Sequence, residues 1–132
     1  MYYVKSLDWT LSYYLNGCVD WRWGYNYLYT PLLDDLYQFI PTLNTVFFSK
    51  ININPVTPHT QLAYVLPKTS YHLLDVKVAE VMNTKKYRNY HTDISLEWAY
   101  CKYFWESKLV FNNDIDINDL ENDIKAILQI KY

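Results

Sequence analysis

Six oxygen-bearing side chains, Asp114, Asp116, Asn118, Asp119, Glu121 and Asp123, crowd one stretch near the end of the sequence. Alternating oxygens of this kind open a calcium-binding EF-hand loop. The match fails further along: counting from Asp114, the sixth position, which needs glycine, is Asp119, and the twelfth, which needs a bidentate glutamate, is Lys125. The run reads instead as the acidic start of a helix, where carboxylates meet the positive end of the helix dipole.

Metal-assisted phosphodiester hydrolysis needs several carboxylates converging on ions roughly 4 Å apart. Asp34 and Asp35 are adjacent, so a helix would point them to different sides. His59, His72 and His91 are scattered, and neither Cys18 nor Cys101 has a neighbouring histidine to activate it or a partner at metal-ligand spacing. Gly17 and Gly24 are the only glycines, too few for a phosphate-cradling loop. These residues assign no catalytic and no metal-binding role within the chain.

The aromatic residues are the stronger signal. Of 132 residues, 19% are aromatic, including 15 Tyr and 5 Trp, and a domain of this size buries only about two-thirds of the surface its unfolded chain exposes. Some rings must therefore reach a surface, either as a permanent protein interface or as a platform for stacked bases. A formal net charge of −2 argues against an autonomous nucleic-acid binder, which gathers positive charge to neutralise phosphates. With 51% hydrophobic residues, disorder is excluded and one core is expected over residues 1–132. The sequence has no apolar run of membrane-spanning length. Its first residues, Met1-Tyr2-Tyr3-Val4-Lys5, lack the pattern of a signal peptide. Two thiols make no disulfide scaffold and suit a reducing compartment, so an intracellular setting is expected, cytoplasmic ahead of nuclear, with no membrane partner.

The elements that must position these rings read as mainly α: an irregular helical domain with long aromatic-rich loops and room for a short strand or hairpin. Val4, Leu7, Leu11, Tyr14 and Leu15 recur at helical spacing from Tyr2 to Leu15, and Asn16-Gly17 supplies a stop. Trp21, Trp23, Tyr25, Tyr27 and Tyr29 then alternate, as in a strand with one aromatic face or an extended loop anchored by its rings. A short helix over Leu33–Phe39, with Asp34 and Asp35 in its first turn, is ended by Pro41, and residues 42–56 are irregular around Val46-Phe47-Phe48. Thr57-Pro58 opens a helix that runs to Leu66. A second helical stretch spans Thr69–Met82 with a break near Asp75. Asn83–Thr92, carrying Lys85, Lys86, Arg88 and His91, reads as a solvated loop. Residues 95–111 read as helix then strand. The last helix carries Leu120, Ile124, Ile127 and Leu128, with Asn118 as its cap and Lys131 at its end.

The stretch from Tyr2 to Trp23 resembles the pattern YVxGLxWVLxYYYxGxxSWxW of the Xrn family of 5′→3′ exoribonucleases. That family continues as YYPYHYAP, against Gly24-Tyr25-Asn26-Tyr27-Leu28-Tyr29-Thr30-Pro31, and then an acidic turn that Asp34-Asp35 fits. Gly24 and Leu28 depart from it, replacing a tyrosine and a histidine. A second block, Asn54 to Pro67, is similar to KPFxPFEQLxxVLP and is followed by Ser70 and His72-Leu73-Leu74. A weaker third block, Trp105 to Leu120, resembles WxGVxLLPFIDExxL through Trp105, Leu109 and Ile115-Asp116.

The resemblance is to the second conserved, helical region of that family, without the N-terminal region that holds its Mg2+ ions and reads the 5′ phosphate. It implies a part of a 5′→3′ exoribonuclease that packs on the metal-dependent nuclease region, in the same longer chain or as a separate subunit. The part would help to hold the 5′ end of single-stranded RNA bearing a 5′ monophosphate. No cofactor is implied for this chain itself. A tryptophan from this region is expected to stack on a terminal base, with Trp21 and Trp23 as candidates. Gly17, Tyr25, Tyr27, Tyr29, Pro31 and Asp34 are the motif residues expected near the RNA or the nuclease interface. The competing expectation is a non-catalytic remnant that contacts RNA or protein, for which Gly24 and Leu28 speak.

Overall fold

The computed structural model describes residues 1–40, 45–48 and 54–129. Its backbone divides into two compact units, Met1–Pro55 and Val56–Tyr132. Described residues are mainly helical, with one small antiparallel hairpin, in agreement with the expected class.

In the first unit, α1 spans Tyr2–Asn16. Gly17 closes it at φ 88°, the left-handed region where a Cβ is strained, and its N–H reaches the Tyr13 carbonyl at 3.2 Å. Residues 18–31 form an extended loop, without a strand. The helix α2, Leu33–Gln38, carries Asp34 and Asp35 in its first turn, as expected. Pro41 lies outside the described residues, as do residues 42–44 and 49–53 of the irregular stretch. None of the described residues of this unit is buried.

The second unit holds a core. The helix α3 spans Pro58–Val65, opened by Thr57 with Pro58 in its first turn. A 3₁₀ segment, Lys68–Leu73, is followed by α4, Val76–Met82. The break falls at Asp75, whose side chain accepts the Lys77 N–H at 2.9 Å and so caps α4. The last helix, α5, spans Ile117–Leu128. Ala63, Val78, Val81, Met82, Leu120 and Ile124 bury their side chains where α3, α4 and α5 meet. Each larger aliphatic side chain so buried contributes about 1.5–3 kcal/mol. Asp116, not Asn118, caps α5: its carboxylate accepts the Asn118 N–H at 2.7 Å. Asp116 precedes Asn118 by two residues and so reaches the N–H that the first turn leaves unpaired. Lys131 lies outside the described residues.

Two further expectations fail. Asn83–Thr92 is not a solvated loop, because Tyr87 and Tyr90 within it are among the largest fully buried side chains. Tyr87 donates its hydroxyl to Asp123 of α5, which also accepts Lys86 Nζ at 3.0 Å. Those two bonds hold the Asp123 carboxyl below its ordinary range. Tyr90 stacks on Phe111 with ring centres 4.6 Å apart, and burial pushes its hydroxyl far above the usual phenol range. The segment's charged side chains face water while its tyrosines fill the core.

Residues 95–111 are also not helix then strand. β1, Ile94–Glu97, pairs antiparallel with β2, Lys108–Phe111, so only the closing strand is as expected. Ile94 lies opposite Phe111, Leu96 opposite Leu109, and Glu97 opposite Lys108. Apolar pairs on one face and an opposite-charge pair on the other favour this register over a helix. Among the described residues, no helix is long and apolar enough to cross a membrane.

Candidate functional site

The motif residues of the first unit collect around α1 in two ring clusters. Trp9 and Tyr13, four residues apart on one helical stripe, stack at 5.4 Å. Trp23 packs 6.2 Å from Trp9 and edge-on to Phe48 at 5.5 Å. The Lys5 ammonium sits 4.5 Å from the Phe48 ring centre and 5.8 Å from that of Trp23, within cation–π range of both. Trp23 is therefore half-buried and ringed by aromatic neighbours.

About two turns before Trp9 on α1, Tyr2 packs edge-on to Tyr27 at 5.8 Å and Tyr3 to Tyr25 at 6.1 Å. The Tyr25 hydroxyl donates to the Tyr29 carbonyl at 2.8 Å, folding the loop back on itself. Tyr25, Tyr27, Tyr29 and Pro31 join Tyr2 and Tyr3 around an open cleft of about 270 Å³. The alternation of rings thus serves an extended loop laid along α1: Trp23, Tyr25 and Tyr27 meet rings of the helix, without any strand partner among the described residues. Gly17 ends α1, and Asp34 sits in the first turn of α2, outside the lining of that cleft.

Trp21 differs from Trp23. It is 55% exposed, lies on the tight turn at residues 21–22, and has no ring partner among the described residues. The two candidates, alike in sequence, are separated by their surroundings: one indole is packed, the other is offered to solvent. The residues that fix this turn were not expected from sequence. The Trp9 indole N–H donates to the Asp20 carbonyl at 2.9 Å, and the Asp20 carboxylate accepts the Arg22 N–H at 2.8 Å. An aspartate two residues before a backbone N–H is the usual mark of such a turn and was the available signal.

Chemically, this arrangement of rings can stack and pack. Among the described residues no three His, Cys, Asp or Glu side chains come together to hold a metal ion. The donor set a Mg2+ pair requires does not fit the described part of this chain. Of the three histidines, His91 belongs to the second unit's packing: its Nε2–H donates to the Tyr64 carbonyl at 3.1 Å, and Nδ1 meets the Tyr71 hydroxyl at 2.8 Å. Burial lowers its pKa, partly opposed by the carbonyl.

A family model described as the Xrn1 helical domain matches residues 1–124. The 5′-3′ exoribonuclease 2 of Schizosaccharomyces pombe is 30% identical over 129 residues, which cover 96% of this chain and 12% of that protein. That of Candida glabrata is 35% identical over 83 residues, covering 63% of this chain and 8% of the relative. Human 5′-3′ exoribonuclease 1 is 36% identical over 83 residues, again 63% of this chain and 5% of the relative. The chain therefore spans a small fraction, between 5% and 12%, of these relatives' length.

Proposed function

The chain belongs to the Xrn1 helical domain family, and from that premise we propose that it is the helical part of a 5′→3′ exoribonuclease. It packs on a metal-dependent nuclease region, supplied by the same longer chain or by a separate subunit, and helps to hold the 5′ end of single-stranded RNA. The nuclease region brings the Mg2+ ions and the recognition of the 5′ monophosphate. Hydrolysis therefore takes place on that partner, and this chain contributes surface and positioning. The setting proposed for it is intracellular, the cytoplasm ahead of the nucleus.

One observation supports this reading above the others. The first unit arranges Trp9, Tyr13, Trp23 and a row of tyrosines in order, yet none of its described residues is buried, and Leu7, Leu11, Tyr14 and Leu15 of α1 stay exposed. Soluble domains rarely leave a contiguous apolar face of this kind uncovered, and a permanent partner is the usual cover. Of the two candidate indoles, Trp21 is the one exposed for stacking on a base. Stacking of a base on an aromatic ring contributes about 1–3 kcal/mol and tolerates any sequence, which suits an enzyme that must accept every nucleotide.

The test is processive degradation of a 5′-monophosphorylated RNA by the enzyme containing this chain. Trp21→Ala should slow it with little change in stability, whereas Trp23→Ala should cost stability first. Equal loss of folding and activity in Trp21→Ala would leave packing as its only role. The second reading, a non-catalytic remnant that binds RNA or protein, is favoured by Gly24 and Leu28 in the aromatic motif, and RNA affinity without hydrolysis in the isolated native protein would mark it.

A further inference from the structure

Trp21 sits on a turn whose two flanks are tied down by different partners. On one side the Asp20 carbonyl is held by the Trp9 indole N–H at 2.9 Å. On the other, Arg22 donates its backbone N–H to the Asp20 carboxylate at 2.8 Å and its guanidinium Nε–H to the Asn54 carbonyl at 3.2 Å. The next residue, Trp23, is wedged between Trp9 and Phe48. Residues 20, 22 and 23 are thus anchored, and the side chain between them projects outward.

Resting on the reading that Trp21 stacks on an RNA base, we infer that Trp9 and Asp20 are positioning residues that fix the Trp21 turn before RNA arrives. Trp9 does this twice, through its N–H to the Asp20 carbonyl and through its ring against Trp23. Asp20 does it through both its backbone and its carboxylate, closing the turn over Trp21. A ring on a fixed backbone gives up less conformational freedom when a base lands on it, so a larger share of the stacking free energy appears as affinity. Neither residue needs to touch RNA.

The experiment compares Asp20→Ala, Asp20→Asn, Trp9→Phe and Trp21→Ala in the exoribonuclease containing this chain. Two readouts serve: steady-state degradation of a 5′-monophosphorylated RNA, and fluorescence of 2-aminopurine at the 5′ end of that RNA with EDTA present to stop hydrolysis. Asp20→Ala and Trp9→Phe should raise KM about threefold to tenfold and weaken the quenching, with kcat nearly unchanged. Asp20→Asn keeps the turn-closing oxygen and should restore both values. In a Trp21→Ala background, Asp20→Ala should add nothing, since its effect runs through that ring. Trp9→Phe keeps an aromatic ring at this position and removes the indole donor, so it reads the same clamp should Asp20→Ala fold poorly. If Trp21→Ala is defective while Asp20→Ala and Trp9→Phe match the unaltered enzyme, or if Asp20→Ala remains additive to Trp21→Ala, the positioning role is overturned. If Trp21→Ala itself leaves KM and quenching unchanged, the stacking reading falls, and this inference with it.

Discussion

The Glu121 carboxylate of α5 accepts the backbone N–H of Thr57 at 3.2 Å, so a side chain of the last helix satisfies the N-terminal end of α3. Glu121 is only 4% exposed and lies 3.1 Å from the Lys125 ammonium one turn on. Beneath it Thr57 and Thr60 share a hydroxyl hydrogen bond at 2.7 Å. Glu121→Ala should destabilise the fold by about 1–3 kcal/mol, the cost of leaving a buried N–H unpaired. Urea denaturation followed by circular dichroism checks this; a loss below about 0.5 kcal/mol, the range of ordinary surface changes, would contradict it.

The Asn83–Thr92 segment makes a separate prediction. Tyr87→Phe removes the hydroxyl donated to Asp123 while keeping the ring, and should cost about 0.5–1.5 kcal/mol. Tyr87→Ala empties a fully buried site and should cost about 3–5 kcal/mol. Equal, small effects of both changes would return the segment to the solvated loop that its charges suggest.

The two tryptophans should separate in thermal unfolding. Trp23→Ala removes contacts to Trp9, Phe48 and Lys5 and should destabilise by about 2 kcal/mol, less than a fully buried tryptophan because Trp23 is half-exposed. Trp21→Ala should stay within about 0.5 kcal/mol. The reverse order would contradict the assignment of packing to one ring and surface to the other.

His91 predicts a pH dependence. Its folded pKa lies below the ordinary value of 6.5, so the unfolded chain binds a proton more readily. The stability it contributes is present above the unfolded pKa, near pH 6.5, and is lost as pH falls from there through the lower folded pKa. His91→Gln should flatten that part of the stability-against-pH profile. An unchanged slope in the variant would contradict the role given to burial.

Much of this was legible locally. The spacing of Val4, Leu7 and Leu11, the stop at Gly17, the Pro58 start and the break at Asp75 depend on neighbours within one turn, and each appears in the structure. What depended on distant partners was not legible. Ile94–Glu97 is a strand because Lys108–Phe111 lies beside it, and Tyr87 and Tyr90 are core because α5 and Phe111 cover them. In the candidate site, alternation marked Trp21 and Trp23 equally. Only the position of Trp9, Phe48 and the Asp20 turn distinguishes the packed indole from the exposed one.

Whether this chain works as the helical part of a 5′→3′ exoribonuclease is decided on the native material. The protein is purified from its source, its intact polypeptide mass and co-purifying chains are identified, and the preparation is given 5′-monophosphorylated single-stranded RNA with Mg2+. A longer chain or a stable complex containing an acidic nuclease region, releasing mononucleotides from the 5′ end, is the expected result. A lone polypeptide of 16.0 kDa, without nuclease partner and without hydrolysis, would contradict it.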